Sequence, residues 1–193
     1  DLLVSKGADI NTRTENNGYT PLHFMASGGN KEGAEYLISK GADIQAVDRW
    51  GANPLHIAVN YKHPEVVKLL FAEGADVNIK TYYDDTMLHR AVGNNDTEMV
   101  ELLLDKGADI KVTQFGYNII NIAMWKDKKE MVQFLMDKGA EFSKVHVAAY
   151  LGRSDEVLSF ISSGGDINLR DPSRSMLIHT ALYGGHLKII ESL

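Results

Sequence analysis

Six places in the 193-residue chain hold a histidine or its amide stand-in at a regular interval: His23, His56, His89, Asn121, His146 and His179. The steps between them are 33, 33, 32, 25 and 33 residues. An imidazole ligates metals and moves protons near neutral pH, so such a ladder first raises metal or acid–base chemistry. Spacing argues against a shared ion. Copies on successive packed layers lie roughly 8–10 Å apart, whereas a metal–nitrogen bond is near ~2.1 Å. The expected role is structural, as it is for His63 and His186, and neither a metal nor a cofactor is expected. The sequence contains no Gly-x-x-x-x-Gly-Lys loop, Gly-x-Ser-x-Gly elbow or His-Glu-x-x-His helix, the spacings that cradle phosphate, expose a serine or hold zinc. With no cysteine there is no disulfide, thiolate zinc site or cysteine nucleophile. The adjacent carboxylates Asp84 and Asp85 read as a solvated loop, because an acid/base pair needs a cleft to separate its pKa values. The chain is not expected to be an enzyme.

The elements that would carry this ladder are legible. Gly-Ala-Asp recurs at Gly7, Gly41, Gly74 and Gly107, followed by Gly139-Ala140-Glu141 and Gly164-Gly165-Asp166. Each of the first five histidine-type residues precedes its glycine by 18 residues. In Asn53-Pro54-Leu55-His56-Ile57-Ala58, Asn53 can cap a helix and Pro54 suits its first turn. A second helix runs through Val66, Val67, Leu69, Leu70 and Phe71, apolar at helical spacing. Gly74 then ends it, since a helix C-terminus favours a left-handed residue. The segments between a glycine and the next histidine are turn-like, with Gly18, Gly51 and Gly116 as punctuation. One such unit cannot bury its apolar face alone, so copies stack in a linear solenoid.

Thr20-Pro21-Leu22-His23, Asn53-Pro54-Leu55-His56-Ile57-Ala58 and Gly74-Ala75-Asp76-Val77-Asn78 resemble the ankyrin repeat, whose period is about 33 residues. The resemblance covers essentially the whole chain. It implies an all-α repeat solenoid of stacked helix-turn-helix units with β-hairpin-like loops, in which the recurring histidine bonds the loops together. The expected organisation is a partial repeat over 1–10 (the tail of an outer helix, Leu2-Leu3-Val4), four repeats over 11–141, a short repeat over 142–166 and a partial final repeat over 167–193. Neither end carries a polar cap, so the protein is expected to continue in both directions.

Several positions depart from the pattern. Asn118 to Ala123 lack the helix-start Thr, Pro and His, and a weaker local interface is expected. Asp84 and Arg174 stand where other repeats have the turn glycine, so distorted loops are expected there. From Gly139 to His146 there are 7 residues, against 14 to 16 in other full repeats. No hairpin fits, and the row of loops should show a notch or bend near 140–146; the alternative is a second array starting near Ser143.

The resemblance implies partner-facing places around the turn glycine and at the end of each inner helix. These hold Tyr19, Trp50, Tyr61, Tyr82, Tyr83, Phe115, Tyr117, Trp125, Tyr150 and Tyr183, ten of the sixteen aromatic residues. Trp50, Tyr83 and Phe115 share one loop place, and Trp125, Tyr150 and Tyr183 share one inner-helix place. Large amphipathic rings dominate binding hot spots. Charge at these places is confined to Arg49, Lys126 and Asp85, so Arg49 joins the candidate set and contact should rest on apolar burial. Arg90 fills an otherwise apolar inner-helix place and is expected to reach the surface beside Asp85 or Tyr83. The formal net charge of -6 disfavours nucleic acid, and no apolar run approaches the ~20 residues of a membrane span. The expected function is a non-catalytic scaffold that binds another protein on the concave face. The alternative is a recognition or regulatory segment of a larger enzyme, channel or secreted effector. Self-association through uncapped ends is a third reading, against which the fragment is expected to be monomeric.

Overall fold

The computed structural model describes residues 6–193; the expected outer-helix tail at Leu2–Val4 lies outside them. The described residues form twelve short helices and one two-stranded ribbon, divided between two compact units, Asp1–Asp109 and Ile110–Leu193. In fold class this is the expected all-α repeat solenoid.

In the first unit three helix pairs follow one another: α1 (Pro21–Ser27) with α2 (Lys31–Ser39), α3 (Pro54–Asn60) with α4 (Pro64–Ala72), and α5 (Met87–Gly93) with α6 (Thr97–Asp105). The first helix of each pair packs on the first helix of the next. Leu22, Leu55 and Leu88, one residue before each histidine, are buried between layers. Ala58 and Ala91 are wholly buried. Pro21, Pro54 and Pro64 open their helices at the turn where a missing N–H costs nothing. Asn30 and Asp96 cap the second helices by accepting the Gly33 and Met99 amides at 2.8 and 3.0 Å.

The constant 18-residue interval has a simple cause. Gly41, Gly74, Gly107, Gly139 and Gly164 each end a second helix with φ between 86° and 91°, a region closed to most L-residues. The turn after them is also fixed. Asp43 and Asp76 accept the amide two residues on, at 2.9 Å. Asn11 and Asn78 then clamp the next repeat, each bonding a Gly41 or Gly107 carbonyl and an Asp43 or Asp109 amide.

The second unit contains α7 (Ile119–Trp125) with α8 (Lys129–Asp137), α9 (Lys144–Leu151) with α10 (Ser154–Ser162), and α11 (Leu177–Gly184) with α12 (Leu187–Ser192). Ahead of α7, β1 (Thr113–Gln114) pairs with β2 (Tyr117–Asn118) in antiparallel register Thr113↔Asn118, Gln114↔Tyr117. Residues 140–143 run straight into α9 with no hairpin. The division between units falls at Asp109/Ile110. In the final pair, Ile178 and Leu182 are exposed at places that earlier repeats bury.

Two expectations of distorted loops are corrected. Asp84 and Arg174 adopt φ of 58° and 64°, and the turns around them are intact. Asp84 donates to the Thr81 carbonyl at 3.1 Å and Arg174 to the Asp171 carbonyl at 2.9 Å, as Gly51 does to Asp48 at 3.2 Å. The strain is held in one residue, and the hairpin keeps its shape. At Asn121 the cap also survives: its Oδ1 accepts the Asn118 amide at 3.2 Å, and Asn118 accepts the Ile120 and Asn121 amides.

Candidate functional site

The histidine ladder is hydrogen-bonded throughout its length in a structural manner. Nδ1 of His23 accepts the Thr20 amide at 3.2 Å while Nε2 donates to the Ala52 carbonyl of the next loop at 3.1 Å. His56 repeats this with the Asn53 amide at 3.3 Å and the Ile79 carbonyl at 3.1 Å. His146 reaches the Leu169 and Ser175 carbonyls at 3.2 and 3.1 Å. His63 and His186 tie the turn between paired helices to the preceding repeat, through the Ser27 and Tyr150 carbonyls, both at 3.0 Å. Burial holds His23 and His146 below their ordinary pKa and pushes His56 and His89 down to about 4, helped at His56 by the Arg90 charge and at His89 by Lys80. These rings are neutral, and His23, His56 and His146 are bonded at both nitrogens. His89 has the one Nε2 of the buried ladder without a partner among the described residues.

The first unit gathers its exposed aromatics on the face made by loops and first helices. Trp50 is 44% exposed, Tyr61 and Tyr83 are each 54%, and Tyr82 is 72%. Tyr19 is half-buried, stacked on His23 with ring centres 5.1 Å apart and edge-on to Phe24 at 5.5 Å. Phe24 is itself 46% exposed and was missed by sequence reasoning, because it sits mid-helix where other copies carry Ile57 and Arg90. Burial and the Asp48 charge raise the Tyr19 phenol. Two residues have structural work as well. The Arg49 guanidinium donates to the Glu15 carbonyl of the preceding loop. The Tyr82 amide donates to the Trp50 carbonyl at 2.9 Å, and its ring covers Gly51.

Arg90 stands where the sequence places it, its Nη2 at 2.8 Å from Asp85 and its Nη1 at 3.4 Å from Asn60. Burial raises the Asp85 carboxyl, and the attraction of Arg90 offsets only part of this. The pair is thus a partly desolvated ion pair set among the rings.

In the second unit Phe115 is 69% exposed, Tyr117 36%, Trp125 52% and Tyr183 64%. Tyr117 and Trp125 meet edge-to-face at 4.4 Å. Phe115 itself is left-handed, at φ 51°, followed by Gly116 at 83°. These two form the turn of a true hairpin, where Trp50 and Tyr83 merely precede a left-handed residue, so the three loop places are not conformationally equivalent.

Tyr150 is a correction. It is wholly buried and cannot contact a partner. Its hydroxyl lies 3.4 Å from the Met124 carbonyl and 3.2 Å from Asp127. Lys129 lies over its ring at 6.0 Å and continues to the Gly184 carbonyl at 3.1 Å. α9 packs on α10 and α11, and Tyr150 reaches back to Met124 of α7 and to Asp127 just beyond it. The signal was present: Val145 to Tyr150 has no polar face apart from His146, the pattern of a helix buried all round.

Where the hairpin is missing, the second unit holds a cavity of about 510 Å³ whose lining includes Thr113, Gly116, Asn118, Ala140–Ser143 and Pro172. No helix among the described residues is long and apolar enough to cross a membrane.

The fold and this face define a helical repeat protein that presents rings and loops. A model of ankyrin repeats (three copies) matches residues 1–81 and again residues 80–144, and the chain belongs to the ankyrin repeat family. It is also similar to protein phosphatase 1 regulatory subunit 27 of Mus musculus and of Homo sapiens, each 53% identical over 47 residues. That match covers 24% of this chain and 30% of each relative's length.

Proposed function

We propose that this chain is a non-catalytic protein-interaction module whose contact surface is the loop and first-helix face, the concave side that the family resemblance implies. One observation carries the proposal: five rings of the first unit (Trp50, Tyr61, Tyr82, Tyr83 and Phe24) lie on this face at 44% exposure or more, although burial would favour them energetically. Tyr19 supports the patch, and the Arg90–Asp85 pair gives it a polar centre. Phe115, Tyr117, Trp125 and Tyr183 extend the candidate set into the second unit, Arg49 contributes only its aliphatic stem, and Tyr150 drops out. The partner is read as a protein, bound mainly by apolar burial and therefore with modest salt dependence.

A second reading, a regulatory segment of a larger assembly, is favoured by the similarity to regulatory subunits of protein phosphatase 1. The experiment is partner capture by the intact chain against W50A/Y83A/F115A, with thermal melting measured alongside. Lost capture with unchanged melting supports the proposal. Retained capture refutes it, and the catalytic subunit of protein phosphatase 1 is the first purified probe for the second reading.

A further inference from the structure

Successive loops of the first unit are joined tip to tip by single backbone bonds. Arg49 donates its amide to the Asn17 carbonyl at 2.9 Å, and Tyr82 donates to the Trp50 carbonyl at the same distance. Among the described residues no such bond is seen from a later loop to the Thr113–Asn118 hairpin of the second unit, and residues 140–143 contain no hairpin. What stands in that place is the cavity of about 510 Å³. Ile110, Ile119, Ala140, Phe142 and Pro172 supply its apolar lining. Its two charges are closed on each other, Lys111 Nζ lying 2.6 Å from a Glu141 carboxylate oxygen. The Asn118 side chain is likewise spent on the Glu141 carbonyl at 3.3 Å. The slot therefore offers about 510 Å³ of room, apolar walls, the Phe115 carbonyl at the hairpin turn and no net charge.

We infer that this slot receives an uncharged, apolar hairpin loop of a partner protein, which takes the place of the absent hairpin in the row. This rests on the reading that the chain binds a protein, and adds where and by what chemistry. The inserted turn donates a backbone N–H towards the Phe115 carbonyl, as Arg49 and Tyr82 do towards Asn17 and Trp50 three and two repeats earlier, and seats one large apolar side chain over Ala140. A charged loop is disfavoured, since neither Lys111 nor Glu141 can turn to it without opening their pair.

The test uses the full chain and exploits its lack of cysteine. T113C, on the exposed strand edge of the slot, is labelled with acrylodan; S159C on the outer helix α10 is the control. The probe is a cyclic peptide holding Val112–Asn118 of this chain, the uncharged segment that forms a true hairpin. A saturable emission shift at T113C with a midpoint on the order of 1 mM is expected, with none at S159C. A variant carrying a second copy of Val112–Asn118 inserted after Glu141 fills the slot, and the peptide response disappears while the melting curve stays cooperative. No response at T113C, an equal response at S159C, or a response that survives the insertion overturns the proposal. So does sedimentation showing that the wild-type chain pairs with itself and that the insertion abolishes the pairing. W50A/Y83A lies in the first unit and leaves the peptide response intact, so failure of the ring-face reading and failure of the slot reading are seen separately.

Discussion

Acid should unfold the first unit well before its carboxylates titrate. His56 and His89 are buried with their pKa held at about 4 against an ordinary 6.5. In the unfolded chain they protonate near 6.5, so the unfolded state binds more protons across that window. The stabilisation is complete above pH 6.5 and is lost as pH falls towards 4. Each ring contributes about 3 kcal/mol at about 1.4 kcal/mol per pH unit, a large share of the 5–15 kcal/mol that holds a typical domain. Where both rings titrate together, the slope of stability against pH approaches about 2.7 kcal/mol per unit. The raised Asp85 carboxyl acts in the opposite sense, losing stabilisation as pH rises through its folded value, and offsets part of the slope. The assay is urea unfolding of a W125F background, in which Trp50 alone reports the first unit, at half-unit steps from pH 7.5 to 4.5. His56→Asn supplies the internal control, because Asn121 shows that an amide can accept the cap amide in this place. At pH 7.5 it costs about 1–2 kcal/mol for the lost Ile79 contact, but it removes about half the pH dependence. A flat profile from pH 7 to 4.5, or an H56N profile as steep as the parent, would refute the reasoning.

Other perturbations follow from the same geometry. Tyr150→Ala should cost about 3–5 kcal/mol of stability in the second unit by emptying a sealed site, and Tyr150→Phe about 1 kcal/mol; chemical denaturation reads both, and an unaffected Y150A would mean the ring is not packed. Asp85→Ala leaves Arg90 half-desolvated without its ion pair and should cost about 1–2 kcal/mol, whereas Asp85→Ala with Arg90→Leu should recover most of it in a double-mutant cycle. Arg174→Gly relieves a left-handed arginine and should stabilise by about 1 kcal/mol, seen as a higher melting temperature. W50A and Y83A should each weaken partner capture with less than about 0.5 kcal/mol lost in folding, since both rings are largely in solvent.

Much of this protein is written locally, and local features survive translation from sequence to structure. The glycine that ends each second helix, the proline that opens the first, and the Asp that turns the chain after Gly-Ala act over two to four residues. Their 18-residue phase therefore reports the fold without knowledge of what packs where. That Arg90 reaches out beside Asp85 or Tyr83 was also legible, because register alone brings a helix residue beside the loop that precedes it; the structure selects Asp85. The fate of Asp84 and Arg174 was not, since whether a non-glycine is strained or the loop bends depends on the hydrogen bonds that hold the turn. The short Gly139–His146 spacing announced a missing hairpin and the apolar run around Tyr150 a buried helix, but which surface closes over Tyr150 and which stays open beside Phe142 was decided by tertiary structure. Deleting a hairpin changes nothing within α9 itself, but it alters which neighbours close over that helix and which surface stays open. Burial is a property of the surrounding layers, and a residue's place in the repeat cannot announce it when one layer is short.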